Sequence, residues 1–118
     1  MSSMRSWGMT LEAAVRQSHA LPMVRKMDLR TGDILVAKTC NSVYTIRVLA
    51  SGNFAISGGW FDKAGMAPFT TTIAGCTWGG SMVKVDIVAA CGLCIEFGNR
   101  VTTSLVRRIM IIPAIKLN

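Results

Sequence analysis

Acidic side chains are scarce in this 118-residue chain: six Asp and Glu stand against thirteen Lys and Arg, a formal net charge of +7. That imbalance makes an acidic partner or a nucleic acid a natural candidate. Polybasic tracts are missing, however. Only Arg25-Lys26 and Arg107-Arg108 are adjacent cations, so the charge reads first as a solvated basic surface. Histidine occurs once, as His19. A His-dependent triad needs that ring beside Ser or Cys on a rigid scaffold, and His19 lies in a weakly patterned N-terminal stretch. Aromatic residues make up only 7% of the chain, with no RNP, KH or helix-turn-helix pattern. Nucleic acid is therefore supported by charge alone. No apolar run reaches the length of a membrane-spanning helix, and no membrane partner is expected. No apolar segment follows Met1–Trp7, so a secretory signal is not expected either. Four cysteines without such a signal point to thiols in a reducing compartment, the cytoplasm.

Apolar residues, by contrast, are abundant, at 51% with a mean hydropathy of +0.43. This excludes intrinsic disorder. The length fits one domain and excludes a TIM barrel or a two-half dinucleotide fold. A domain this small buries a smaller share of its surface than a large one. The apolar surplus therefore predicts self-association, since large exposed apolar patches mark contacts and closed homo-oligomers are common.

The chain changes character near Thr31. Residues 1–30 read as an N-terminal helix or arm. Thr10–Ala20 suits a short helix, with Thr10 as N-cap, Glu12 at the positive end of the dipole and Pro22 beyond its end. Residues 31–118 read as one β domain, with Gly and Asn punctuating runs rich in Val, Ile, Thr and aromatics. Strands are expected over Asp33–Lys38, Ser42–Leu49, Phe54–Ser57, Phe69–Ala74, Met82–Val88, Cys91–Phe97, Arg100–Thr103 and Val106–Ile112. Ser51-Gly52-Asn53 forms the clearest hairpin turn, Gly58-Gly59 a bend before Trp60-Phe61, and Gly75–Ser81 a glycine-rich turn around Trp78. The expected fold is all-β, a small SH3-like barrel of seven or eight short strands.

Few constellations in this pattern carry chemistry. Cys91-Gly-Leu-Cys94 has zinc or redox spacing, with Cys40 and Cys76 as further thiolates. In an extended strand, residues three apart face opposite ways, with Cys91 inward and Cys94 outward. The cysteines thus read as small buried hydrophobes, with no metal or cofactor expected. Asp33, Asp62, Asp86 and Glu96 offer carboxylates with no visible pairing, so no catalytic residue is assigned. Glu96 stands between Ile95 and Phe97, where it is either a structural charge beside Arg100 or Arg108 or a pocket group for a cationic ligand. Gly79-Gly80-Ser81 resembles an anion nest but lacks the P-loop lysine and helix. Trp60 and Trp78 offer flat surfaces for a ligand or a base, or caps on the ends of a barrel.

The succession Gly58-Gly59-Trp60-Phe61, Gly75-x-x-x-Gly79-Gly80-Ser81, Ile95-Glu96-Phe97 and Arg100-Val-Thr-Thr-Ser104-x-Val106 resembles a set of short, uncharacterised bacterial all-β proteins of environmental or mobile gene cassette origin. The resemblance spans residues 31–112. Its motifs are glycine and strand residues, so it implies a fold and no activity.

The reading that results is a non-catalytic, oligomeric binding or interaction module. Val106–Ile112 is its first-choice interface, because the strand is apolar on both faces after Arg108; Met110 and Ile111 represent the two faces. A protein or small-molecule partner could sit at a subunit junction. The alternatives are a basic small barrel that binds nucleic acid and a small enzyme with its site between subunits.

Overall fold

A computed structural model describes residues 22–78 and 82–114. The expected helix Thr10–Ala20, His19 and the Gly79–Ser81 nest lie outside the described residues. In chain order the strands are β1 (Met23–Arg25), β2 (Ile34–Thr39), β3 (Val43–Val48), β4 (Phe54–Gly58), β5 (Phe69–Thr71), β6 (Ile73–Thr77), β7 (Val83–Lys84), β8 (Ile87–Ala90), β9 (Cys94–Phe97) and β10 (Val106–Ile112). A one-turn helix, α1 (Gly59–Lys63), follows β4, and 3-10 turns cover Lys26–Asp28 and Ala50–Gly52. No described helix is long and apolar enough to cross a membrane.

Strands β2 to β5 form an antiparallel meander, and β10 returns to the free side of β2, giving the order β10-β2-β3-β4-β5. Two-residue alternation assigns the faces. Leu35, Ala37, Tyr44, Ile46, Val48, Phe54, Ile56 and Ile109 point into one core. The opposite face carries Ile34, Val36, Lys38, Val43, Thr45, Arg47, Ala55, Ser57, Arg108, Met110 and Ile112, matched by register across the ladders. Sheets β9-β6-β7 and β1-β8 cover the core. They contribute Val24, Ile73, Val88, Ala89, Ile95 and Phe97 to it.

Helix α1 closes one end. Phe61 is fully buried and meets Phe97 edge-on at 5.1 Å, Phe69 stacked at 5.5 Å and Tyr44 edge-on at 6.4 Å between ring centroids. Two glycines permit this turn. Gly58 has φ +100° and a Cβ there would strike the Val43 carbonyl, while Gly59 has φ +48° and lies against the Tyr44 ring. The Asp62 carboxylate accepts the Gly58 N–H at 2.8 Å, which fixes the entry into the turn.

The all-β expectation holds, but no closed barrel forms. Among the described residues three separate sheets hold ten strands, and the chain changes sheet at Thr72 between β5 and β6. Several boundaries differ from expectation for local reasons. Met82–Val88 is not one strand: it breaks at Val85-Asp86, where the Asp86 carbonyl accepts the Lys26 N–H instead. Cys91–Phe97 begins as a turn at Cys91-Gly92, with Gly92 at φ +88°. Gly75, Cys76 and Thr77 belong to β6 rather than to a turn. Arg100–Thr103 keeps only one bridge, Thr102 to Glu96, because Arg100 takes φ +71°. Finally, Met23–Arg25, upstream of Thr31, is a strand paired with β8.

Candidate functional site

A concentration of cationic side chains sits where β2 meets β10. A cleft of about 470 Å³ there is lined by Lys38, Thr39, Cys40, Arg107 and Arg108. Regular alternation would send one of two consecutive arginines inward. The register shifts between Val106 and Arg108, however, and a bulge re-aims side chains, so Arg107 and Arg108 are both exposed. Arg108 pairs across the ladder with Lys38. Among the described residues none of these three cations has a carboxylate partner; Arg107 Nη1 instead donates to Cys40 Sγ at 3.8 Å.

The six candidates from the sequence do not form one site. Arg108, Met110 and Ile111 share β10, but Ile111 turns toward the core while Arg108 and Met110 face outward. Ile109 and Met110 are already buried within the chain, and Ile111 and Ile112 are half-buried. Trp60 stands on α1 at the far side of the same sheet, 42% exposed, edge-on to Phe61. Phe61, not Trp60, caps the core. Trp78 follows β6 and is 71% exposed, so it does not pack over its turn. Glu96 is half-buried on β9, bridged through its backbone to Thr102. Among the described residues it has no ion pair to Arg100 or Arg108.

The cysteines occupy unlike environments. Because β9 starts only at Cys94, Cys91 is exposed and Cys94 buried, the reverse of the expected facing. Burial raises the Cys94 thiol above its usual range, with a smaller push from Cys40. Burial also raises Cys76 to about 11, against a lowering hydrogen bond from the Ala90 backbone. Such thiols stay protonated and unreactive at neutral pH. Among the described residues no three His, Cys, Asp or Glu side chains gather as a metal site. The Asp33 carboxylate, buried, accepts the N–H groups of Arg30 at 2.9 Å and Ala114 at 2.8 Å. It clamps two chain segments together.

Sequence reasoning missed Lys38, Arg107 and Cys40 as neighbours, since only strand register brings residues so distant in sequence together. It also missed the most exposed apolar groups. Met27 (82%), Met82 (72%), Trp78 (71%) and Val85 (64%) are the most exposed large apolar residues described. Trp78 and Met82 directly follow and precede the paired residues Thr77 and Val83. Val85 follows β7, and Met27 follows Lys26, whose N–H donates to the Asp86 carbonyl next to Val85. Comparison with known proteins finds no matching family model, no matching curated protein and no matching solved structure.

Proposed function

We propose that the chain is a non-catalytic binding module that works as a homo-oligomer, joined through the apolar surface formed by Met27, Trp78, Met82 and Val85. The exposure of these four side chains is the observation that carries the reading. Trp78 and Met82 flank the same register pair, Thr77 with Val83, and exposed apolar groups that gather on a surface mark contacts. β7 beside them is a two-residue edge of its sheet among the described residues. A second copy is the partner that offers the same patch, and a two-fold axis would set like against like. This surface replaces Val106–Ile112 as the favoured interface, because Ile109 and Met110 are covered within the chain.

Two further elements belong to the same proposal. The four-strand meander with β10 beside its first strand supports an SH3-like description of the main sheet. A cytoplasmic location is supported by four cysteines that are all thiols. Sedimentation of the wild type and of the double variant Trp78→Lys/Met82→Lys tests the assembly. The variant should sediment as a monomer with unchanged circular dichroism, since both side chains are exposed. An assembled wild type and an equally assembled variant would move the interface elsewhere.

A further inference from the structure

None of the five strands of the main sheet contains Asp or Glu, whereas they carry Lys38, Arg47, Arg107 and Arg108. Three of these cations, Lys38, Arg107 and Arg108, line the cleft of about 470 Å³ together with Thr39 and Cys40. Lys38 and Arg108 are direct register partners on β2 and β10, a placement that sets Cβ atoms about 5 Å apart. Like charges directly opposite each other destabilise a strand pair, and among the described residues no ion pair relieves these two. The bulge brings Arg107 to the same cleft as a third cation. One Arg107 donor goes to Cys40 Sγ at 3.8 Å, and the rest of its fork stays open. The Thr39 hydroxyl is already used by the Asn41 and Ser42 backbone, so the hydrogen-bonding capacity left in the cleft is almost entirely cationic.

We infer that this cleft is a binding site for a compact multianion, a chain of two or three linked phosphates. The two guanidinium forks take phosphate oxygens in pairs, and the Lys38 ammonium adds a point charge. A single phosphate group carries about two negative charges at most, which leaves three facing cations under-neutralised; linked phosphates match them. A compact anion is favoured over an extended one because the three cations converge on one cleft. Beyond it the strands of this sheet offer only Arg47. Binding removes the repulsion between Lys38 and Arg108, so the like-charge pair that costs the empty fold stability favours the occupied one. No aromatic side chain lines the cleft, so the phosphate chain itself is what is recognised. The site lies on the main sheet, apart from the self-association surface, and stands whether or not the chain assembles.

Isothermal titration calorimetry of the full chain with inorganic tripolyphosphate, orthophosphate and a nucleoside triphosphate tests it. At about 50 mM salt, tripolyphosphate should bind at least about 10-fold more tightly than orthophosphate, and weaken several-fold by about 200 mM because the cations are exposed and screened. The nucleoside triphosphate should match tripolyphosphate within about 3-fold, since the charge-assisted bonds are the same. Lys38→Glu sets a carboxylate opposite Arg108; its melting temperature without ligand should equal or exceed that of the wild type, while its tripolyphosphate affinity falls at least about 10-fold. Lys63→Glu makes the same charge change at an exposed position outside the cleft and should lower affinity less than about 3-fold. Cys40 reports on the cleft directly: tripolyphosphate should slow its alkylation by iodoacetamide and leave that of Cys91, which is exposed but does not line the cleft, unchanged. Absence of binding at low salt, equal losses in Lys38→Glu and Lys63→Glu, a lower melting temperature in Lys38→Glu, or unchanged Cys40 alkylation would each overturn the site. A preference for the nucleoside triphosphate of about 10-fold or more would do so too, because a base would then need an aromatic platform elsewhere.

Discussion

Replacing Phe61 by alanine removes the plug at the end of the core. The ring is fully buried and touches Phe97, Phe69 and Tyr44 on one side and Trp60 on the other, at 5.1, 5.5, 6.4 and 5.2 Å. A buried Phe→Ala change costs about 3–5 kcal/mol, the spread reflecting how far neighbours collapse into the void. Here collapse is restricted. Tyr44, Phe69 and Phe97 sit on three strands, and α1 is held in place by Gly58, Gly59 and the Asp62 hydrogen bond. The loss should therefore lie near about 4 kcal/mol. With a urea dependence of about 2 kcal/mol/M, the unfolding midpoint should fall by about 2 M at unchanged slope. Phe61→Leu keeps most of the volume and should cost no more than about 1.5 kcal/mol. Because Trp60 rests on Phe61, the alanine variant should also shift tryptophan emission to the red. A loss below about 1 kcal/mol would refute the assignment of Phe61 as the closure of the core.

Two further outcomes follow from buried polar groups. Asp33→Ala leaves the Arg30 and Ala114 amides without their acceptor; chemical denaturation should show a loss of about 3 kcal/mol, as charge-assisted hydrogen bonds are removed. Cys76 has its thiol raised from 9.0 to about 11 in the fold. The unfolded chain therefore loses that proton first, so stability should be full below about pH 9 and fall by about 2–3 kcal/mol as pH rises to about 11. Denaturation at alkaline pH should show a shallower decline in Cys76→Val, and an identical decline would assign the effect to other groups.

The main sheet was legible because its strands alternate. Val43–Val48 and Phe54–Gly58 carry Tyr44, Ile46, Val48, Phe54 and Ile56 on one face, and alternation reports the face directly. The smaller sheets were not. In Met82–Val88 the apolar positions Val83, Val85 and Ile87 keep a perfect period of two while the chain turns at Val85-Asp86. Periodicity registers side-chain type and not whether the backbone continues straight. Val85 is 64% exposed for that reason. In Cys91–Phe97, Gly92 marked the turn, but its positive φ depends on the hydrogen bond it donates to the distant Val106 carbonyl. The candidate surfaces were legible only in part. Arg108, Trp60 and Trp78 stood out as residue types, whereas the company each keeps depends on pairings between distant segments, such as Lys38 with Arg108.

Molar mass by light scattering, measured on the wild-type chain over a wide range of concentration, is the sharpest check on the exposed apolar surface as an interface. A concentration-dependent or stable multiple of 12.7 kDa is the expected result. A constant 12.7 kDa at every concentration would mean that Met27, Trp78, Met82 and Val85 remain in water, and the self-assembling module would have to be abandoned.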